Sequence, residues 1–393
     1  MDALSTPATV ATPDRMGTGG GTLPDRVSLP VRRRVADQRG AAAARVSGEF
    51  LDWQYQVLGV REFLDSPDVT EVCVNRPGEV YVEDRDGWRR VAVPQLTFER
   101  ARQFCTAIVN ESGTGQHITE TDPLVSLTFP TGQRAQFVIP PACEAGRVSI
   151  TIRQPATWTR TLAQYEADGF FDAVREMASG IDDHDRELLE LRAARRYAEF
   201  FRKAVLYKKN IVVSGATGSG KTTFMKSLVQ HMPDSERLVT IEDARELFIR
   251  QPNVVHLLYS KGGQSTSHVT AKTCMEACLR MRPDRIILAE LRGDEGFYFI
   301  RNCASGHPGS ITSCHAGSPQ QTWDQLALMV KASREGAGLE FATIKRLLRM
   351  TIDVVVHVSA HAGRRNITGI DHRPSRVVPA DGSRESGCPE SSP

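Results

Sequence analysis

Residues 215–222 read Gly-Ala-Thr-Gly-Ser-Gly-Lys-Thr, and no other stretch constrains the fold as strongly. The run fits the glycine-rich phosphate-loop pattern in full. Asn210-Ile-Val-Val-Ser214 ahead of it is a short apolar strand, and Thr223–Gln230 behind it has helical spacing. In such a strand–loop–helix unit the glycines let the backbone curl, so that successive N–H groups point into one cavity at a helix N-terminus, where phosphate oxygens bind. The expected nucleotide-binding set is therefore Gly215, Ala216, Thr217, Gly218, Ser219, Gly220, Lys221, Thr222 and Thr223. Lys221 would reach the β- and γ-phosphates of ATP, and the Thr222 hydroxyl would ligate Mg²⁺.

The surroundings suit that motif. From Tyr197 to about Asp371, apolar strands (Ile211–Ser214, Leu238–Glu242, Ile286–Glu290, Ser310–Cys314, Val354–Val358) alternate with helical segments. This is the pattern of an α/β domain with a mostly parallel sheet. Ahead of it, Val69–Asn75, Glu79–Glu83 and Trp88–Val93 read as strands joined by Asn75-Arg-Pro-Gly78 and an Asp86-Gly87 hairpin signal. Phe98–Asn110 has helical spacing, and Arg134–Ile139 and Val148–Arg153 are further strands, giving a smaller α+β domain. The expected division is a basic disordered tail over 1–47, the α+β domain over 48–155, a linker over 156–195, the nucleotide-binding domain over 196–372 and a second tail over 373–393. The run Arg32-Arg33-Arg34 could touch an anionic surface, but a solvated basic tail carries more weight.

Composition narrows the function classes. The 393 residues hold 49 basic and 47 acidic side chains, a net charge of +2, so bulk electrostatics do not suggest nucleic-acid binding. No stretch approaches the roughly 18 consecutive apolar residues of a membrane span. The first residues lack an apolar run behind a basic start, so no secretory signal is expected. Eight scattered cysteines, several in apolar runs, suit reduced thiols in a cytosolic setting.

Two strand ends carry acidic groups. Arg282-Pro-Asp-Arg-Ile-Ile-Leu-Ala-Glu290 is an apolar strand ending in a carboxylate, and Leu238-Val-Thr-Ile241 runs into Glu242-Asp243. Carboxyl ends of parallel strands gather at the ligand crevice, so either Glu290 or Glu242 could orient the attacking water, with Glu290 also acting indirectly on the metal. The spacing leaves open which is the base. Gly306-His307-Pro-Gly-Ser-Ile-Thr-Ser-Cys314-His315 should bring His315 to the same crevice as a sensor of the γ-phosphate. The predicted catalytic set is thus Glu290, Lys221, Glu242 and His315.

These four stretches, in this order, resemble the secretion-traffic ATPases of type II secretion, type IV pili and type IV secretion. Asp68-Val-Thr-Glu-Val-Cys-Val-Asn-Arg-Pro-Gly-Glu79, Ser149-Ile-Thr-Ile-Arg153 and Glu290-Leu-Arg-Gly-Asp294 are most similar to the type IV secretion and conjugal-transfer branch. The resemblance implies a RecA-like nucleotide-binding domain, ATP hydrolysis with Mg²⁺, and a hexameric ring. It also implies a cytoplasmic location, peripheral to the inner membrane, with partners among the inner-membrane components of the machine. It further implies that arginines of the N-terminal domain reach the phosphates, with Arg134 and Arg153 matching best and Arg147 less well. Rival readings are a type II secretion or pilus motor, and a nucleotide-gated assembly scaffold with little turnover. A nucleic-acid-stimulated ATPase is disfavoured by the neutral charge, so direct nucleic-acid binding is not expected.

Overall fold

Short β-branched runs joined by two-residue turns build the first sheet of the structure, a computed structural model that describes residues 27–28, 46–156, 158–174, 181–260 and 266–374. The predicted tails over 1–47 and 373–393 fall almost wholly outside these residues. In chain order the elements begin with β1 (Val27–Ser28), α1 (Gly48–Leu58), α2 (Arg61–Leu64), β2 (Glu71–Arg76), β3 (Glu79–Asp84), β4 (Gly87–Ala92) and α3 (Phe98–Glu111). They continue with β5 (Leu124–Thr128), β6 (Arg134–Val138), β7 (Ser149–Arg153), β8 (Trp158–Thr159), α4 (Leu162–Ala167) and α5 (Asp183–Ala193).

The strands β2–β7 form one antiparallel sheet in the order β4-β3-β2-β7-β6-β5. Alternate residues divide between its two faces. Val72, Val74, Val80, Val82, Phe137, Ile150 and Ile152 pack under α1 and α3 with Leu51, Tyr55, Phe104 and Ile108. The Phe104 and Phe137 rings meet edge to face at 5.8 Å. Helix α1 starts at Ser47, whose hydroxyl accepts from the Phe50 N–H, and stops at Gly59 in the left-handed region.

A small unit stands by itself. In it β1 pairs antiparallel with β8, and α4 begins with a capping box between Thr161 and Gln164.

The second sheet takes α6 (Tyr197–Leu206), β9 (Ile211–Ser214), α7 (Lys221–Val229), β10 (Leu238–Glu242), β11 (Val254–Leu258), α8 (Ala271–Cys278) and β12 (Arg285–Leu291). It is completed by α9 (Glu295–Ala304), β13 (Ile311–Cys314), α10 (Pro319–Ala332), α11 (Phe341–Thr351), β14 (Val354–His361) and β15 (Arg364–His372). Its order is β11-β10-β12-β13-β9-β14-β15, parallel except for the last pair. Two apolar layers cover it. One holds Met275, Phe299, Trp323 and Leu348, and the other Phe200, Met225, Leu228 and Leu188. Helices on both faces make the sheet strands near-continuous apolar runs.

The antiparallel sheet docks beside the N-terminal ends of β10, β11 and β12. Arg237, fully buried just before β10, donates to Asn75 Oδ1 at 2.8 Å, to Asn253 Oδ1 at 2.7 Å and to the Met281 carbonyl at 2.8 Å. Tyr81 donates to the Pro252 carbonyl at 2.9 Å, and Arg282 pairs with Glu83 at 2.6 Å. A bridge between Cys143 and Leu257 covers part of edge strand β11.

Candidate functional site

The phosphate loop follows β9, and its backbone needs its glycines. Gly215, Gly218 and Gly220 have φ of 155°, 76° and 99°, conformations that residues with a Cβ rarely adopt. A Cβ on Gly215 would also drive into the Val358 carbonyl oxygen and lie 2.6 Å from Ser219 Oγ. Lys221 opens α7, and its side chain folds back over the loop. Its Nζ donates to the carbonyls of Gly215 (3.1 Å) and Ala216 (2.9 Å) and lies 3.4 Å from His315 Nδ1. Burial lowers the lysine pKa, and the Glu290 carboxylate opposes that shift. Ser219 Oγ is buried with no hydrogen-bond partner among the described residues. Ala216, Thr217 and Gly218 are exposed, Thr222 is half-buried and Thr223 exposed.

Strand β12 delivers Glu290 through an irregularity. Its register with β13 shifts between Leu288 and Leu291, and Ser313 Oγ caps the Ala289 carbonyl there at 2.7 Å. Bulges of this kind re-aim side chains beside active sites. One Glu290 oxygen lies 2.5 Å from His315 Nε2. The other accepts from Arg292 at 2.7 Å (Nε) and lies 2.5 Å from its Nη2. Arg292 then reaches Asp243 at 2.5 Å. The result is a row of close contacts, Lys221–His315–Glu290–Arg292–Asp243, in which Glu290 Oε1 is buried with no hydrogen-bond partner among the described residues. Hydrogen bonds to Glu290, ahead of burial, dominate the shifts acting on Arg292, and the net direction is upward, so it stays a cation. Arg292 was not singled out from sequence. The signal was its place just past the strand end in the run Glu290-Leu-Arg-Gly-Asp294.

Glu242 ends the neighbouring strand but is used otherwise. It is fully buried, and its Oε1 accepts from Thr240 at 2.6 Å and lies 3.3 Å from His256 Nδ1. Its Oε2 accepts the backbone N–H groups of Glu246 (2.8 Å) and Leu247 (2.6 Å). Burial alone would raise its pKa, but bonds from His256, Thr240 and the two N–H groups outweigh it and hold the carboxyl below its ordinary value. Arg245 links His256 (2.7 Å) to Glu144 of the first sheet's side (3.1 Å). The carboxylate clamps the 243–247 turn and is not joined to the Lys221–Glu290 row.

The histidines separate as well. His315 follows β13 at the loop, whereas His307 precedes it, bonded to the Pro283 carbonyl at 2.9 Å at the other end of the strands. Arg134 and Arg153 face each other on β6 and β7, and Arg153 also faces Glu71, with 3.5 Å between Nε and Oε1. Glu71 in turn lies opposite Glu83, the partner of Arg282. This row therefore sits at the N-terminal ends of β10 and β12, while the phosphate loop sits past the C-terminal end of β9. Strands of five to seven residues span about 15–20 Å, which sets Arg134 and Arg153 toward the opposite end of the strands from the phosphate loop.

Oxygen donors at Thr222 and Glu290 beside a cradle that a single Cβ would fill suit a phosphate-bound Mg²⁺. Among the described residues, no helix is long and apolar enough to cross a membrane.

Comparison with known proteins agrees with this geometry. Residues 181–390 match the family described as "Type II/IV secretion system protein". The type IV secretion system protein VirB11 of Brucella suis is 49% identical over 313 residues, covering 79% of this chain and 86% of that protein. PtlH, a type IV secretion system protein of Bordetella pertussis, is 39% identical over 335 residues, covering 84% and 97%. The crystal structure of the VirB11 ATPase from the Brucella suis type IV secretion system, in complex with sulphate, superposes with a TM-score of 0.76 at 46% identity. That match covers 82% of this chain and 94% of that one. An intact phosphate loop, a carboxylate held beside its lysine and this likeness across most of the chain place the protein in the VirB11 family of type IV secretion ATPases.

Proposed function

We propose that the chain hydrolyses Mg²⁺-bound ATP at the Lys221–Glu290 row and works as a hexameric ring peripheral to the inner membrane, coupled to inner-membrane components of its secretion machine. The observation carrying the site assignment is that His315 lies between Lys221 and Glu290 at one edge of the phosphate loop, 3.4 Å from the lysine Nζ and 2.5 Å from the carboxylate.

In this reading the N–H groups of residues 215–223 hold the phosphates at the α7 N-terminus. Lys221 exchanges the loop carbonyls for β- and γ-phosphate oxygens, which neutralise its charge better than neutral carbonyls do. Arg292 holds the Glu290 carboxylate in place, and that carboxylate orients water in line with the γ-phosphorus. The new bond forms between the water oxygen and phosphorus as the bond to the β–γ bridging oxygen breaks, giving ADP and phosphate. His315, touching both Lys221 and Glu290, reports whether the γ-phosphate is in place. Thr222, with Glu290 acting indirectly, would hold the Mg²⁺, which when bound offsets charge on the β- and γ-oxygens.

Steady-state hydrolysis of the wild type, Lys221→Ala and Glu290→Gln, each sized for oligomeric state, tests the proposal. Both variants should assemble normally and lose about 100-fold or more in kcat, the scale of a missing catalytic group. A wild type that binds ATP under ring-forming conditions and never turns it over would overturn the motor and leave a nucleotide-gated scaffold.

A further inference from the structure

Strand β14 runs past the level at which β9 stops. Val354–His357 pair with Ile211–Ser214, after which β9 becomes the phosphate loop while β14 continues to His361. The overhang touches the loop, because the Val358 carbonyl occupies the space a Gly215 side chain would need. The chain reverses at Ala362 and Gly363, whose φ values of 47° and 77° make a tight two-residue hairpin turn. It returns as β15 with Arg364 opposite His361 and Arg365 opposite Ala360. A rigid hairpin therefore stands over one flank of the phosphate loop.

Arg365 uses that position. Measured from the Cβ position of Gly220, the residue just before Lys221, its Cδ lies at 2.9 Å, its Nε at 3.6 Å and its Cγ at 3.9 Å. The stem thus lies on the loop at the N-terminus of α7. Its side chain is exposed, and no carboxylate pairs with its guanidinium among the described residues. A free cation held against an anion-binding loop by a tight hairpin is a built contribution to that site.

The sheet order says which end of the ligand it meets. Glu290 and His315 belong to β12 and β13, on one side of β9, whereas β14 and β15 lie on the other. Lys221 Nζ points to the Glu290–His315 side, so the γ-phosphate belongs there. Resting on the nucleotide-binding reading above, we propose that Arg365 is a further nucleotide-binding residue that grips the α-phosphate and nucleoside end of ATP and ADP alike, setting affinity without taking part in γ-phosphate transfer.

Equilibrium binding of ADP and of a non-hydrolysable ATP analogue to the full-length protein tests this, together with kcat and KM for ATP. Arg365→Ala should weaken both nucleotides about tenfold and raise KM similarly, the effect of one charge-assisted hydrogen bond, while kcat at saturation stays within about twofold. Arg365→Lys should restore part of the affinity, and Arg364→Ala, at the exposed tip, should leave it unchanged. Unaltered ADP affinity in Arg365→Ala would overturn the proposal, as would a fall in kcat with affinity intact. Failure of the wild type itself to bind ADP would instead refute the nucleotide-site reading on which it rests.

Discussion

Glu242 and Glu290 end neighbouring parallel strands, yet their carboxylates meet opposite demands. Five donors, counting Arg245 Nη1 at 3.5 Å, surround the oxygens of Glu242, whereas among the described residues Glu290 is bonded by Arg292 and has one buried oxygen, 2.5 Å from His315, without a hydrogen bond. Glu242→Gln should therefore cost about 1–3 kcal/mol of stability, because an amide cannot accept from both backbone N–H groups and from Thr240 at once. Glu290→Gln should leave the melting temperature within about 2 °C of wild type and abolish turnover; thermal melts beside ATPase assays separate the two. Glu71 adds a pH dependence. Burial pushes its carboxyl from an ordinary 4.5 up to about 7, with Arg153 only partly opposing, and its Oε2 is buried without a partner among the described residues. The fold thus prefers the protonated form. Its stabilising contribution is full below about pH 4.5 and is lost as the pH rises through about 7, a difference of up to about 3 kcal/mol. Burial raises the Glu83 carboxyl in the same direction, against the pull of Arg282. Melting temperature measured from pH 5 to pH 8 should fall in the wild type and fall less in Glu71→Gln; parallel curves would exclude Glu71 as the source.

At the scale of elements, the phosphate loop depends on β14 as much as on β9. Gly215→Ala places a methyl group against the Val358 carbonyl in a backbone region that alanine avoids, and neither β9 nor β14 has room to yield inside a parallel sheet. We expect it to lower stability by more than about 1 kcal/mol and to abolish nucleotide binding, read by thermal melts and by ADP titration. How much of this was legible in sequence follows from the same physics. The strand Ile211–Ser214 and the strands around Leu238, Ile286 and Val354 were readable because buried parallel strands are near-continuous apolar runs. Strand β15, Arg-Arg-Asn-Ile-Thr-Gly-Ile-Asp-His, was not, because an edge strand faces solvent along most of its length and needs no apolar alternation. With β15 unread, so was the hairpin that carries Arg365. Strand β5 (Leu-Val-Ser-Leu-Thr) and strand β11 (Val-Val-His-Leu-Leu) also went unread. In β11 a buried histidine interrupts the run, held there by Thr240 and Arg245, partners a linear reading cannot supply. The Glu290 position was visible, but its aim was not, since the bulge at Ala289–Glu290 is a matter of register with β13.

At the scale of the whole molecule, the decisive fact is which end of the second sheet the first sheet occupies. Arg237 is the anchor of that docking, a fully buried guanidinium whose donors are spent on Asn75, Asn253, Thr151 and the Met281 carbonyl. This holds Arg134 and Arg153 at the ends of β10 and β12 remote from the phosphate loop. Sequence resemblance assigned these arginines to bound phosphates without saying whose phosphates. In the proposed ring, arginines set toward the far end of the strands from their own loop would face the loop of the adjacent copy, where a guanidinium fork would bind a γ-phosphate and let go after hydrolysis. The two possibilities predict opposite results in mixed rings. An Arg134→Ala/Arg153→Ala copy keeps a sound phosphate loop, and a Lys221→Ala copy keeps both arginines; each alone should be inactive. If the arginines act between copies, mixing the two lets an intact loop sit beside intact arginines, and ATPase activity should return to roughly a quarter of wild type at equal ratios, the share of neighbouring pairs with that order. If they act within one chain, every site in the mixture lacks either its lysine or its arginines, and activity should stay at the level of the separate variants.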